Sequence, residues 1–194
     1  MASRTRDALL DAAEELLDAG GVEAVTLREV GHRAGVSHNA PYKHFAGKEA
    51  LLAAVAAREL RRRRALTAAA LERDDPPEVV LRGTLRRYAE WAVEYPERFK
   101  LIYGRWTLGT AESTDLAELG DAAHAASEQL VALVRTLQER GALPPGDPER
   151  LTALLRALAH GAADLTLAGH LSPEGKGHAD SAGLIDDLIG YLHP

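Results

Sequence analysis

Apolar residues recur at helical spacing through nearly the whole chain, and glycine or proline interrupts the pattern at intervals. That rhythm constrains the fold more than any other feature. Positions i, i+3, i+4 and i+7 share one helix face, whereas a half-buried strand needs strict alternation, and no convincing run of alternating β-branched residues occurs here. Ala, Leu, Arg and Glu, all strong helix formers, fill the segments between interruptions. The expectation is an all-α protein of nine helices.

Leu9, Ala12, Ala13, Leu16 and Leu17 form the stripe of a first helix, from about Thr5 to Ala19, which Gly20-Gly21 should end. Thr26, with Glu29 three residues on, caps a second helix over Leu27 to Ala34 in the pattern of a capping box. Gly35-Val36-Ser37 reads as a tight turn, with Ser37 capping a third helix from His38 to about Phe45. Gly47 and Lys48 open a long fourth helix to about Leu71, and Asp74-Asp75-Pro76-Pro77 breaks the chain. A fifth helix is expected from Pro77 to Val93, a sixth from Glu97 to Trp106 and a seventh from Asp115 to Arg140. Asp147 caps an eighth to about Leu171, with Pro148 at its first position, where proline fits. The ninth runs from Ser181 to Leu192.

The 194 residues suffice to bury roughly 70% of the unfolded chain's surface. There is no cysteine, so disulfides, thiolate metal sites and cysteine nucleophiles are excluded. No apolar run approaches the ~20 residues of a membrane span. Met1 to Asp11 are charged and lack an apolar core, so a secretory signal is not expected and a cytoplasmic protein is.

The net charge of −6 hides an asymmetry. Residues 28–64 carry nine Lys and Arg against three Glu, a balance of +6. Residues 65–194 carry twelve basic and twenty acidic side chains, a balance of −8. A basic module on an acidic body is the footprint of a DNA-binding domain joined to a regulatory one.

The second and third helices and their turn make a helix-turn-helix pattern. Val30, Ala34, Val36 and Phe45 can bury to fix the helix angle. His38, Asn39, Ala40, Tyr42 and Lys43 then face outward toward a major groove. Asn pairs bidentately with adenine, and an alanine methyl meets a thymine methyl. Tyr42, His44 and Lys48 suit phosphates, which fix register without reading sequence. Tyr42 could instead be core and His44 a solvated surface group. Arg61 to Arg64 point all around their helix, so most are read as solvated and paired with acids, outside the site.

Val25-Thr26-Leu27-Arg28-Glu29-Val30, Ala34-Gly35-Val36-Ser37, Tyr42-Lys43-His44-Phe45 and Lys48-Glu49-Ala50-Leu51-Leu52 together resemble the DNA-binding domain of the TetR family, without a gap over about residues 5–55. The resemblance implies a helix-turn-helix domain over 1–55, including the start of the fourth helix, and an effector-binding and dimerisation domain over 56–194. Thr26 would cap and touch the backbone, and Arg28 would reach a base or phosphate. Ser37, His38, Asn39 and Ala40 would read bases, with Lys43 beside them, and Tyr42, His44 and Lys48 would hold phosphates. Pro41 departs from the family pattern and is expected to pack inward.

The second half shows no GxSxG, P-loop, HExxH or GxGxxG, so no enzyme, cofactor or metal is expected. Aromatics cluster instead. Tyr88, Trp91 and Tyr95 share one helix face, as do Phe99, Ile102, Tyr103 and Trp106 on the next helix. Such faces make either a core or a ligand pocket. His160 and Asp164 are four apart and with His124 could bind a metal or a polar ligand group, or His160 and Asp164 could simply satisfy each other. Tyr95 to Tyr103 and Ala159-His160-Gly161 resemble the TetR branch with a C-terminal Trp-His-Gly motif, alanine standing here for the tryptophan; Gly161 would allow close helix packing. The eighth and ninth helices carry more leucine and isoleucine than one face needs, and in the family they pair into a four-helix bundle. The resemblance implies a homodimeric repressor on a palindromic operator, released by an unidentified small-molecule effector, with no membrane partner. An enzyme using His124, His160 and Asp164, or an interaction protein that has lost DNA binding, are the rival readings.

Overall fold

The computed structural model describes residues 2–72, 75–104, 114–175 and 177–192. Among them the chain forms nine helices and no strand: α1 Ala2–Ala24, α2 Leu27–Arg33, α3 Ala40–His44, α4 Lys48–Glu72, α5 Pro77–Glu94, α6 Pro96–Tyr103, α7 Thr114–Glu139, α8 Pro148–Leu167 and α9 Ser181–Leu192. They group into two compact units. One holds residues 1–62 and 97–124, the other 63–96 and 125–194.

In the first unit, the expected stripe of α1 is the core. Leu9, Leu10, Leu16 and Leu17 bury against Val25, Val30, Phe45, Leu51 and Leu52. The first run of α1 ends at Gly20-Gly21 as expected: both residues leave helical geometry, the chain bends there, and a further turn of helix runs to Ala24. Gly21 makes the bend possible by taking φ +67°, a region that L side chains rarely adopt. Leu101 of α6 completes this core, with Ile102 and Leu119 packed against it. Residues far along the chain therefore help to build the N-terminal unit.

Thr26 caps α2 as expected, its Oγ1 accepting the Glu29 N–H at 3.1 Å. Gly35, at φ +65°, closes α2. Its N–H returns to His32 O and that of Val36 to Gly31 O, both at 3.1 Å, the paired bonds of a Schellman cap. The expected Ser37-capped start of α3 at His38 is corrected. Ser37 to Asn39 form a turn, with Ala40 N–H donating to Ser37 O at 2.9 Å, and the helix begins at Ala40. Pro41 is the reason. A start at His38 would put it fourth in the helix, where its missing N–H costs a backbone bond, whereas a start at Ala40 puts it second.

The second unit packs α5, α8 and α9 together around Leu81, Leu85, Leu155, Ala159, Ile185 and Ile189. Asp147 caps α8 as expected, its Oδ1 accepting from the N–H groups of Glu149 at 2.9 Å and Arg150 at 3.3 Å. The helix stops at Leu167, short of the expected Leu171, because Gly169 and His170 return their N–H groups to Thr166 and Leu165. No helix among the described residues is long and apolar enough to cross a membrane.

Candidate nucleic-acid interface

Pro41 and Gly31 set the geometry of the helix-turn-helix. Both are buried, and a Cβ on Gly31 would stand 2.8 Å from Pro41 Cγ. Glycine thus lets α3 lie directly on α2, and Pro41 packs inward as its place in the sequence suggested. Gly31 is the site-building residue that the sequence reading missed. An isolated glycine inside a helical pattern was its only signal.

With Pro41 and Phe45 turned in, the rest of the segment is turned out. Thr26, Arg28, Ser37, His38, Asn39, Tyr42 and Lys43 are exposed, and Ala40, His44 and Lys48 are half-buried. Tyr42 keeps 54% of its surface open, which answers whether it is core, and its ring lies 6.0 Å from that of His38. Asn39 precedes α3 yet makes no side-chain capping bond, so its amide is not engaged by the helix it introduces. Lys48 begins α4, with Nζ 3.9 Å from the exposed Glu23 carboxylate, a weak tether that a phosphate can displace.

The arginines after this segment have other work. Arg61 bonds Glu118 at 3.2 Å and Arg62 bonds Glu14 at 2.8 Å, in keeping with their exclusion from the site. Arg63 differs: its guanidinium lies over the rings of Trp91 at 4.2 Å and Tyr88 at 4.8 Å, a double cation–π contact.

The residues expected at an effector site divide between the units. In the second, Tyr88 and Trp91 pack with ring centroids 6.4 Å apart, and the Tyr88 hydroxyl bonds His160 Nδ1 at 2.8 Å. His160 therefore meets α5, while Asp164, one turn on, is exposed; the expected His–Asp contact gives way to His–Tyr. Tyr95 is half-buried where α5 ends. In the first unit, Phe99 is buried and its ring lies 5.7 Å from that of Tyr103, while His124 is exposed. Trp106 lies outside the described residues. No group of three or more His, Asp or Glu among the described residues could hold a metal ion.

Comparison with known proteins bears directly on this arrangement. The sequence model for bacterial regulatory proteins of the tetR family matches residues 9–55. The one for tetracyclin repressor-like C-terminal domains matches residues 81–189. The HTH-type transcriptional regulator TtgW of Pseudomonas putida is 45% identical over 56 residues, which are 29% of this chain and 42% of TtgW. The chain thus spans less than half the length of the curated relatives it matches. A protein of unknown function from Rhodococcus sp. RHA1 is 30% identical in a superposition with a TM-score of 0.80, covering 97% of this chain and 93% of that one. AibR in complex with isovaleryl coenzyme A and operator DNA shares the fold, with a TM-score of 0.68 at 16% identity over 98% of both chains.

Proposed function

Since the chain belongs to the tetR family of bacterial regulatory proteins, we propose that its α2–α3 segment binds operator DNA and that a small-molecule effector releases it. One observation carries the DNA reading. Pro41 and Phe45 are buried while Ser37 to Asn39, Tyr42 and Lys43 between and before them are exposed, so a single five-residue helix is anchored by one face and presents the other. Asn39, Ala40 and Lys43 read bases; Thr26, Arg28, Tyr42, His44 and Lys48 hold the backbone on either side.

The test is fluorescence anisotropy with a duplex selected by the wild-type chain from a randomised pool. Lys48→Ala is expected to weaken every duplex alike and to lower the salt slope by about one. Asn39→Ala is expected to relax preference at particular base pairs, at a cost of about 1–3 kcal/mol against the preferred one. Unchanged binding by both variants defeats the assignment.

Two copies are required for a palindrome, and α8 and α9 supply the surface. Leu154 and Leu165 on α8 are 68% and 45% exposed, and Tyr191 on α9 is 86% exposed. Gly161 and Gly190 have nothing within 4 Å of where a Cβ would stand, so nothing within the chain requires their smallness; a partner helix would. Apolar side chains left open beside glycines are what a second α8–α9 pair would cover. Two-fold pairing then sets the recognition helices one DNA turn apart, about 34–36 Å. Leu154→Lys with Leu165→Lys is expected to give monomers in sedimentation.

The effector reading rests on Tyr88, Trp91 and His160 with Arg63, an aromatic surface carrying one cation and one hydrogen-bonded imidazole. An effector acts by binding the DNA-free conformation better, and such couplings are typically about 1–3 kcal/mol.

A further inference from the structure

The first unit holds an ion network that includes none of the residues proposed to contact DNA. Glu14 of α1 and Glu59 of α4 are buried, at 6% and 5% exposure. Buried carboxylates need cations, and α4 provides two: Arg58 bonds Glu14 at 2.6 Å and Arg62 does so at 2.8 Å. The third comes from α6. Arg98 forks onto both oxygens of Asp18, at 2.8 and 2.6 Å, and its Nη1 reaches Glu59 at 3.2 Å and Glu14 at 3.5 Å. Its side chain is only 13% exposed. Burial opposes that charge, but the Asp18 hydrogen bond and the charges of Glu14, Asp18 and Glu59 outweigh it and hold the guanidinium pKa above its ordinary value.

We propose that Arg98 is the positioning residue that clamps α6 to α1 and α4 and thereby keeps the DNA-binding segment in its operator-competent geometry. The proposal rests on the DNA reading above. Position in the fold supports it. Asp18 stands two residues before the Gly20-Gly21 bend, and the bend leads within five residues to Thr26, the cap of α2. A Cβ on Gly21 would stand 2.8 Å from Glu97 Oε2, so the helix that grips α1 through Arg98 also lies directly on the bend through Glu97. Leu101 and Ile102 set the same helix into the core beneath α2. A displacement of α6 therefore reaches the α1–α2 junction without passing through the base-reading residues. Along the chain, α6 follows α5 after the single residue Tyr95, so it is the segment through which the second unit's chain returns to the first.

The experiment compares Arg98→Met, Arg98→Lys and Leu137→Ala with wild type. Leu137 is a fully buried residue of the second unit and serves as a control for lost stability. Affinity is read by anisotropy on the duplex that wild type selects from a randomised pool, and hydrogen exchange is followed from Glu14 to Val30. Arg98→Met is expected to bind about tenfold more weakly, with an unchanged salt slope and faster exchange from Gly20 to Leu27. Arg98→Lys should recover part of both, since it keeps the charge but loses the fork. Leu137→Ala should melt earlier yet keep its affinity and its exchange pattern in α1. Wild-type affinity and exchange in Arg98→Met overturn the proposal, as do equal affinity losses in Arg98→Met and Leu137→Ala. Asp18→Asn, which weakens the fork at its more exposed end, should shift both readouts the same way by less and replaces Arg98→Met if that variant does not fold. If wild type selects no duplex, the DNA reading fails, while the exchange measurement still decides whether Arg98 holds the α1–α2 junction.

Discussion

The two units solve opposite problems. The first turns its apolar residues in and keeps a polar turn and a five-residue helix outside, with ion pairs tying its distant segments together. The second leaves Leu154, Leu165 and Tyr191 in the open and half-buries polar groups among aromatic rings, in the Tyr88–His160 bond and the Arg63 contacts. A surface that meets phosphate must be wet and charged, and one that meets a second copy or an apolar ligand must be greasy. Location of the apolar side chains thus separates the two proposed roles more clearly than net charge does.

The largest effects should break this comparison at its cores. Phe45→Ala removes a ring 2% exposed that anchors α3, and Leu155→Ala empties a site 1% exposed between α5 and α8. Denaturant titration should show losses of about 3–5 kcal/mol for the first and about 2–5 kcal/mol for the second. Operator affinity of the folded fraction should fall only for Phe45→Ala. Equal losses of affinity would mean that the units do not divide the work as argued.

Gly31→Ala comes next. Its Cβ would meet Pro41 Cγ at 2.8 Å, and the proline ring is too stiff to give way. Overpacking of this kind costs about 1–3 kcal/mol, and relief here means lifting α3 away from α2. Operator binding should therefore suffer far more than melting temperature. A variant that melts early but binds normally would show that the α2–α3 contact does not set the reading geometry.

These cases also show what the sequence made legible. Residues that act through neighbours four or fewer positions away could be read: Thr26 with Glu29, Asp147 with the two N–H groups after it, and the exposed positions around Pro41. Helix α3 starts two residues later than a cap at Ser37 implies, because the cost of Pro41 in the fourth helical position outweighs that cap. Long-range partners were not readable. Helical periodicity puts His160 and Asp164 on one face, but it cannot show that α5 brings Tyr88 within 2.8 Å of His160. Nor can it show that Arg98, eighty residues from Asp18, closes on it.

Tyr88→Phe tests one such long-range contact. It removes one hydroxyl and leaves the ring, so the expected loss is about 0.5–1.5 kcal/mol in stability. Operator affinity without effector should not change. If it does, the second unit communicates with the DNA face even when no ligand is bound.

The sharpest version of the comparison uses one kind of chemistry that occurs in both units. Thr26 and Asp147 are both N-caps whose side-chain oxygen accepts helix N–H groups. Replacing either with alanine should cost about 1 kcal/mol in unfolding, since the lost bond is of one kind. Their consequences for DNA should differ. Thr26 is exposed at the start of α2, where its hydroxyl stands at the proposed phosphate surface and its cap orients the helix on which α3 rests. Asp147 is exposed on α8, in the other unit. Thr26→Ala should therefore weaken operator binding by more than its stability loss explains, and Asp147→Ala should not weaken it at all. Matched losses of affinity would place the effect of both in general stability and remove Thr26 from the interface.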